Sequence, residues 1–151
     1  MSFEDFDYAE YERQCEAQRQ ENARYLAAFE GYLENAGLKE STIHRHLDNA
    51  SFYLNTYLLR EEPLPMEEGC RKADDFFGYF FICKCMWSTP GTIRSTAASL
   101  KKFYKCMAER GMVAPESYEY FIETIREDME YWVEDCRQFN DPSSDNPFAL
   151  F

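Results

Sequence analysis

Apolar residues recur every three or four positions along most of this chain, which is the period of amphipathic α-helices. The segment 25–36 predicts the first firm helix, and Gly37 after it predicts a left-handed cap that ends the helix. The acidic and aromatic segment 3–22 also has helical spacing, so it either extends this helix or packs as a separate arm. The stripe within 25–36 consists of Leu26, Phe29, Leu33 and Ala36.

A second helix is predicted between two local signals. Ser41 or Thr42 suits the N-cap position, and the two prolines of the segment 61–65 end the helix. The core-facing stripe consists of Ile43, Leu47, Ala50, Leu54 and Tyr57.

The segment 69–86 is apolar almost all round between Phe76 and Ile82. Such a run is typical of a short buried helix or a buried strand. Helical patterns on both sides favour the helix.

A further helix is predicted from Pro90 to Arg110, with Thr89 as its cap and Gly111 after its end. On a helical wheel, a line of cations lies about 100° from the core stripe. Hydroxyl residues and Lys102 share the far side, so we expect an exposed face that is basic and hydroxylated. The core stripe is Ile93, Ala97, Leu100, Tyr104 and Met107, the cationic line is Arg94, Lys101 and Lys105, and the far side is Thr92, Ser95, Ser99 and Lys102.

The last predicted helix, over Pro115 to Arg137, carries apolar residues at a strict alternation of four- and three-residue steps. Such a seam often packs on a partner helix, and the other faces are too acidic to lie against DNA. We therefore expect a protein interface here, formed by a homodimer or another helical protein. Its predicted residues are Tyr118, Ile122, Ile125, Met129 and Trp132.

Length and composition predict an all-α, single-domain bundle of five or six helices, because 151 residues with 45% apolar content suffice for one core. We divide it into an acidic helical extension (1–24), a helical domain (25–112), an acidic C-terminal helix (113–138) and a flexible tail (139–151). The apolar end of that tail, 148–151, could dock on a neighbour. The chain lacks the pattern of a membrane span or a signal peptide, so a cytoplasmic location is expected.

The net charge of −12 argues against general nucleic-acid binding, since such binding depends on neutralising phosphates. The charge is unevenly distributed, however. The segment 84–110 carries +5 and the segment 41–60 carries +1, whereas the segments 1–40, 61–83 and 111–151 are all acidic.

A weak internal repeat relates the starts of the second and fourth helices by a shift of fifty residues. Thr42 aligns with Thr92 and Ile43 with Ile93. With the "Gly-Leu, two polar residues, Ser-Thr-Ile" turn at 37–43 and the "Ala-Asp-Asp-Phe-Phe" helix at 73–77, this order resembles the SAM-like core-binding domain of tyrosine recombinases (phage integrases).

The resemblance covers 25–112 and implies an orthogonal helical bundle that closes over one side of DNA. The family's catalytic domain would not fit in this chain, so we expect a non-catalytic DNA-binding module linked to recombination or integration. An alternative is that the threonines are only helix caps and the cations a solvated face. The residues that the resemblance implies for DNA contact are Thr42, His44, Arg45, Thr92, Arg94, Ser95, Lys101, Lys102 and Lys105.

Signatures of catalysis are missing from the sequence, which has no phosphate loop, nucleophile elbow or zinc-protease motif. We expect no enzyme activity, cofactor, metal or small-molecule substrate. The six cysteines are interpreted as core thiols, because only Cys83 and Cys85 form a close pair of the kind that zinc sites use. His44 and His46 are interpreted as surface or phosphate-facing. The competing hypothesis is a protein-interaction or dimerisation module that has lost DNA binding.

Overall fold

The computed structural model describes residues 3–85 and 87–141, and every regular element in these two ranges is helical. The predicted all-α bundle is therefore confirmed. Two π-helical turns, Phe52–Tyr57 and Phe76–Phe80, and one 3₁₀ helix, Met66–Arg71, accompany the α-helices. The α-helices are α1 (Phe3–Asn35), α2 (Glu40–Ser51), α3 (Ala73–Asp75), α4 (Phe81–Lys84), α5 (Pro90–Glu109) and α6 (Pro115–Asn140).

Helix α1 is a single long helix, so the N-terminal segment extends the first helix and is not a separate arm. Its extension is held against the same molecule: the Asn22 side chain donates to the Leu54 carbonyl at 3.4 Å and to the Asn55 side chain at 2.9 Å. The helix ends at Asn35, and Gly37 follows with a φ of +76°, which suits glycine. Gly37 N–H bonds to Glu34 C=O there, which confirms the predicted left-handed cap.

Helix α2 starts earlier than the sequence suggested. The N-cap is Lys39, without a side-chain hydrogen bond, so the prediction that Ser41 or Thr42 is the cap is wrong. The Ile43 N–H bonds to the Lys39 carbonyl at 2.9 Å and closes the first turn directly after the Gly37 cap. The predicted stripe is confirmed, since Leu47 is half-buried and the other members are buried.

The segment after the proline connector is helical, as predicted for 69–86, but it is irregular. A 3₁₀ helix comes first, and α3, a π-helical turn and α4 follow as one continuous rod. Two buried tyrosines fix the 3₁₀ helix: the Tyr53 hydroxyl donates to the Gly69 carbonyl at 2.7 Å, and the Tyr104 hydroxyl donates to the Met66 carbonyl at 2.8 Å.

The two π-helical turns face each other across an aromatic cluster. The Phe76 ring lies 4.8 Å from both the Tyr53 and the Tyr57 rings, and the Tyr57 ring lies 5.0 Å from the Phe80 ring. Edge-to-face pairs of this kind add to the stabilisation from burial alone.

Helix α5 begins and ends close to the predicted positions. Thr89 caps it in a capping box with Thr92, Pro90 is its first residue, and Gly111 takes a φ of +76° after its end. All five predicted core residues of α5 are buried.

Helix α6 packs on α5 and on the 3₁₀ helix, and it runs to Asn140, beyond the predicted Arg137. Asn140 donates its side-chain amide to the Ser88 carbonyl at 2.8 Å and thereby ties the end of α6 to the start of α5. The predicted flexible tail therefore begins too early at 139. Its remainder from 142 onward, including the apolar end 148–151, lies outside the described residues.

A single continuous core joins all of these helices and includes most of the thiols. Five of the six cysteines are buried and Cys83 is half-buried, which confirms their interpretation as core thiols. Burial raises the pKa of Cys70 to about 12 and that of Cys85 to about 11, so these thiols stay protonated at neutral pH.

Candidate nucleic-acid interface

The candidate interface is built on α2 and α5, which pack against each other. His46 and Asn49 both contact Ser99. Phe52 begins the π-helical turn that continues α2, and it contacts Trp87, which lies before α5. The two helices therefore pack side by side and run in opposite directions.

A buried polar joint links the two helices at Ser99. His46 Nδ1 lies 2.7 Å from Ser99 Oγ, the Asn49 amide donates to Ser99 Oγ at 2.9 Å, and Ser99 Oγ donates to the Ser95 carbonyl at 3.2 Å. His46 is only 3% exposed and Ser99 is fully buried. The predictions of a surface-facing His46 and of an exposed Ser99 are therefore wrong, because both side chains fill the contact between α2 and α5.

The charge around this joint is positive. Burial lowers the pKa of His46, and the nearby cations Arg45 and Lys102 lower it further. Arg45 belongs to α2 and Lys102 to α5, so each of the two helices places a cation near this imidazole.

Four exposed cations form a surface that we call the basic ridge: Arg45, Lys101, Lys102 and Lys105. Among the described residues, none of the four has a carboxylate oxygen within 4.0 Å of its side-chain nitrogens. Their positive charge is therefore not consumed by ion pairs within the described parts of the chain.

Arg94 differs from the ridge residues because it is bound to α6. Its guanidinium donates to Glu130 at 3.0 Å. With Lys101 it lines a groove of about 390 Å³ between α5 and α6, whose floor is formed by apolar residues of both helices. Arg94 is thus partly neutralised, which the sequence pattern did not indicate.

The two threonines that were predicted to contact DNA occupy equivalent third positions in α2 and α5. The Thr92 hydroxyl accepts the Thr89 N–H at 2.7 Å and lies 3.1 Å from the Trp87 carbonyl, so the capping box already engages it. Thr42 is half-buried in the first turn of α2, and no side chain caps that helix. The cap interpretation therefore applies to Thr92 and not to Thr42.

The remaining predicted contact residues lie on the outer side of the same helices. Ser95 is half-buried one turn before Ser99. His44 is exposed, and its Nε2 lies 3.7 Å from Glu40, a partner that the sequence reasoning did not recognise.

The predicted protein interface on α6 is largely filled by this chain itself. Ile125 and Trp132 are each 2% exposed. The Trp132 ring stacks on Phe77 at 5.1 Å, and its Nε1 donates to Asp74 at 3.0 Å. Their assignment to an interface is therefore wrong, because both are core residues. Tyr118, Ile122 and Met129 are half-buried at the margin of the same core.

Two aromatic residues near the ridge were missed by the sequence reasoning. Trp87 is 54% exposed, and Phe52 beside it is half-buried. The signal was the seven-residue spacing between Arg45 in α2 and Phe52, the first residue of the π-helical turn that continues α2, which places the two residues two turns apart on one face.

The part of the chain that the structure describes holds no group of three or more His, Cys, Asp or Glu side chains that could bind a metal ion. None of its helices combines the length and apolarity that a membrane span needs.

Comparison of the chain with protein-family models, curated proteins and solved structures gave no match. The resemblance to a recombinase core-binding domain therefore remains a prediction from the sequence.

Proposed function

We propose that this chain is a non-catalytic DNA-binding module that holds a phosphate backbone along the basic ridge. The observation that carries the proposal is the set of three exposed lysines, Lys101, Lys102 and Lys105, on two turns of α5, with Arg45 exposed on the adjoining α2. None of the four has a carboxylate partner among the described residues. Unpaired cations of this density are what phosphate binding requires. The recombinase-like resemblance adds to this proposal, with recombination or integration as the setting.

The acidic remainder of the molecule opposes DNA binding but does so unevenly. In α6, Glu123, Glu130 and Glu134 each pair with an arginine, which reduces the field beside the ridge. Charges farther away than about 10 Å are largely screened at 0.1 M salt. A ridge without carboxylate partners among residues 3–85 and 87–141 can therefore bind phosphate although the whole chain carries −12.

The α6 seam no longer supports the competing hypothesis of a protein-interaction module, because Ile125 and Trp132 belong to the core. The half-buried seam residues Ile122 and Met129 line the groove between α5 and α6 together with residues of α5. DNA binding through α2 and α5 is thus the function that the geometry supports best.

The test is fluorescence anisotropy of a labelled mixed-sequence duplex, titrated with the full chain at about 50 and 200 mM salt. Four phosphate contacts predict a slope of log K against log salt of about −3.6, which is a loss of roughly 150-fold between these concentrations. Undetectable binding at the lower salt concentration would refute the proposal.

A pair of matched variants assigns the binding to the ridge. The variant Lys101→Gln, Lys102→Gln, Lys105→Gln should reduce the slope by about three, since each phosphate contact contributes about one. The control Arg24→Gln, Arg71→Gln, Lys72→Gln removes the same charge at residues outside the ridge. Equal losses in both variants would show that only net charge matters, and the ridge would not be the site.

A further inference from the structure

We propose that Trp87 and Phe52 form an aromatic platform on which an unpaired base of single-stranded DNA stacks while the basic ridge holds the phosphates. This inference rests on the proposed function and adds that single-stranded DNA is the preferred ligand. It uses an exposed feature that duplex binding by the ridge leaves unexplained.

Within the platform, Trp87 is the ring that is open to solvent, and other aromatic rings support it on its protein side. Trp87 exposes 54% of its surface. Its ring lies 5.6 Å from the Phe52 ring and 6.3 Å from the Phe81 ring, at steep angles to both. Phe52 in turn contacts Phe76 and Phe80 in the core. An indole held in this way keeps its position without a partner, so little ordering is needed when a ligand binds.

The platform and the ridge belong to one surface. Phe52 follows Arg45 by seven residues, two helical turns, so both lie on the same face of the α2 rod. On α5, the distance from Thr89, which follows Trp87 closely, to Lys102 is about 20 Å at 1.5 Å per residue. A strand of about four nucleotides, at the lower end of the usual site sizes, covers such a length.

The combination of a cationic track and an aromatic side chain favours a single strand over a duplex. Proteins that bind single strands pair a basic groove with aromatic rings on which successive bases stack. In a duplex the bases already stack on one another, so Trp87 would gain no partner. The same arrangement predicts little sequence preference, because every base has an aromatic face.

One residue on this surface opposes the ligand. Asp48 is exposed and lies between Arg45 and Phe52 along α2. Its carboxylate repels phosphate at the middle of the proposed track, so Asp48→Asn should strengthen single-strand binding at about 50 mM salt, and unchanged binding would show that the strand does not pass Asp48.

The chain contains two tryptophans, and only one of them can respond directly to a stacked base. Trp132 is buried and hydrogen-bonded to Asp74, whereas Trp87 is open. Quenching of the exposed component of the emission therefore reports stacking on Trp87.

The experiment titrates the full chain with an oligonucleotide of about ten thymidines and with a duplex of equal length, at about 50 mM salt. Anisotropy of the labelled DNA measures binding, and tryptophan emission measures stacking. We expect tighter binding of the single strand, with quenching, and duplex binding without it. Trp87→Ala should weaken single-strand binding by about ten-fold and leave duplex binding unchanged.

Two further variants distinguish stacking on Trp87 from a general loss of aromatic surface. Trp87→Phe retains a smaller ring and should recover part of the affinity that Trp87→Ala loses. Tyr120→Ala removes a comparably exposed aromatic residue, 58%, from α6 and should change neither ligand's affinity. Unchanged duplex binding also shows that a Trp87 variant is folded.

The outcomes separate the two proposals. Binding of both ligands without quenching, with Trp87→Ala equal to the parent chain, overturns the platform and leaves DNA binding by the ridge intact. Binding of neither ligand overturns the proposed function and the platform together.

Discussion

His46 is a buried imidazole whose protonation the folded chain opposes. Burial lowers its pKa first, and the neighbouring cations Arg45 and Lys102 lower it further. The joint with Ser99 needs only one N–H from the ring, that of Nδ1, because the Ser99 hydroxyl donates its own proton to the Ser95 carbonyl. A second ring proton would place a positive charge in a buried site that lies near the cations Arg45 and Lys102. The neutral form is therefore part of the contact between α2 and α5.

The lowered pKa makes stability depend on pH in a defined direction. As pH falls below about 6.5, the unfolded chain takes up the proton first, so the free energy of unfolding decreases until the folded-state pKa is reached. Urea unfolding at about pH 7.5 and 5.5 should show this loss in the parent chain, and His46→Gln should lose less.

The control for this measurement is the exposed histidine of the same helix. His44→Gln should keep the pH dependence of the parent chain, since His44 lies outside the buried joint. If His46→Gln and the parent lost the same stability between the two pH values, carboxylates and not His46 would be responsible.

Gly69 is the glycine with the least space around it. A Cβ atom at this position would lie 2.0 Å from the Tyr104 hydroxyl and 2.8 Å from Cε2 of Tyr53. Both tyrosines are fully buried and hydrogen-bonded to the 3₁₀ helix, so neither side chain can move aside freely.

Replacement of Gly69 should therefore be costly. We expect Gly69→Ala to lower the free energy of unfolding by at least about 2 kcal/mol, the usual scale of overpacking. Gly31→Ala is the matched control, because nothing lies within 4 Å of the added atom inside α1, and it should stabilise by about 0.5–1 kcal/mol. Urea denaturation followed by circular dichroism measures both, and equal effects would contradict the packing argument.

At the scale of elements, the fifty-residue shift describes a real equivalence between α2 and α5. The helices begin at Glu40 and Pro90, so Thr42 and Thr92 are both third residues. Their caps nevertheless differ. Thr89 accepts the Thr92 N–H at 3.0 Å, whereas Lys39 makes no side-chain cap.

The unequal caps predict opposite effects of two substitutions. Thr89→Ala should destabilise the chain by about 1 kcal/mol, because it removes one half of the capping box. Lys39→Ser should stabilise it by a similar amount, because Lys39 already has the extended backbone of an N-cap residue. Thermal unfolding of the two variants checks the signs, and a loss of stability in Lys39→Ser would contradict the argument.

Periodicity predicted the long helices well because it depends only on which face of a helix is buried. It placed the stripe of α5 and both glycine-ended helices correctly. It failed where a neighbouring helix determines whether a residue is buried. His46 and Ser99 are polar residues buried by one another, and their burial follows from how α2 and α5 pack. The same limit hid the pairing of Arg94 with Glu130.

Local irregularity was the second source of error. The π-helical turns and the 3₁₀ helix arise where aromatic rings pack tightly, and no spacing rule indicated them. The strict seam of α6 was predicted correctly to be apolar. Spacing alone does not show whether a helix of the same chain or of a partner protein covers it. Here it is covered largely by the chain's own core.

At the scale of the whole molecule, one charge distribution has two opposite consequences. The excess of 28 acidic over 16 basic residues makes the folded chain repel itself. The ridge, in contrast, attracts phosphate. Added salt screens both interactions. It should therefore stabilise the fold and weaken DNA binding in the same range of concentrations.

This contrast can be measured in one buffer series. The melting temperature should rise between about 20 and 300 mM sodium chloride, and it should rise more steeply for the three-glutamine ridge variant, whose negative charge is larger. Differential scanning fluorimetry provides the readout. A melting temperature that is independent of salt in both chains would show that self-repulsion contributes little to their stability.

The π-helical turns at Phe52–Tyr57 and Phe76–Phe80 also bear on how the length of this chain can vary. A π-helical turn bonds to the fifth residue along instead of the fourth, so it accommodates one residue more than an α-helical turn does. Loss of a single residue inside either turn would restore regular α-helix there. In diverged versions of this fold, the two turns are thus the places where a one-residue gap belongs in an alignment, although both are buried within helices.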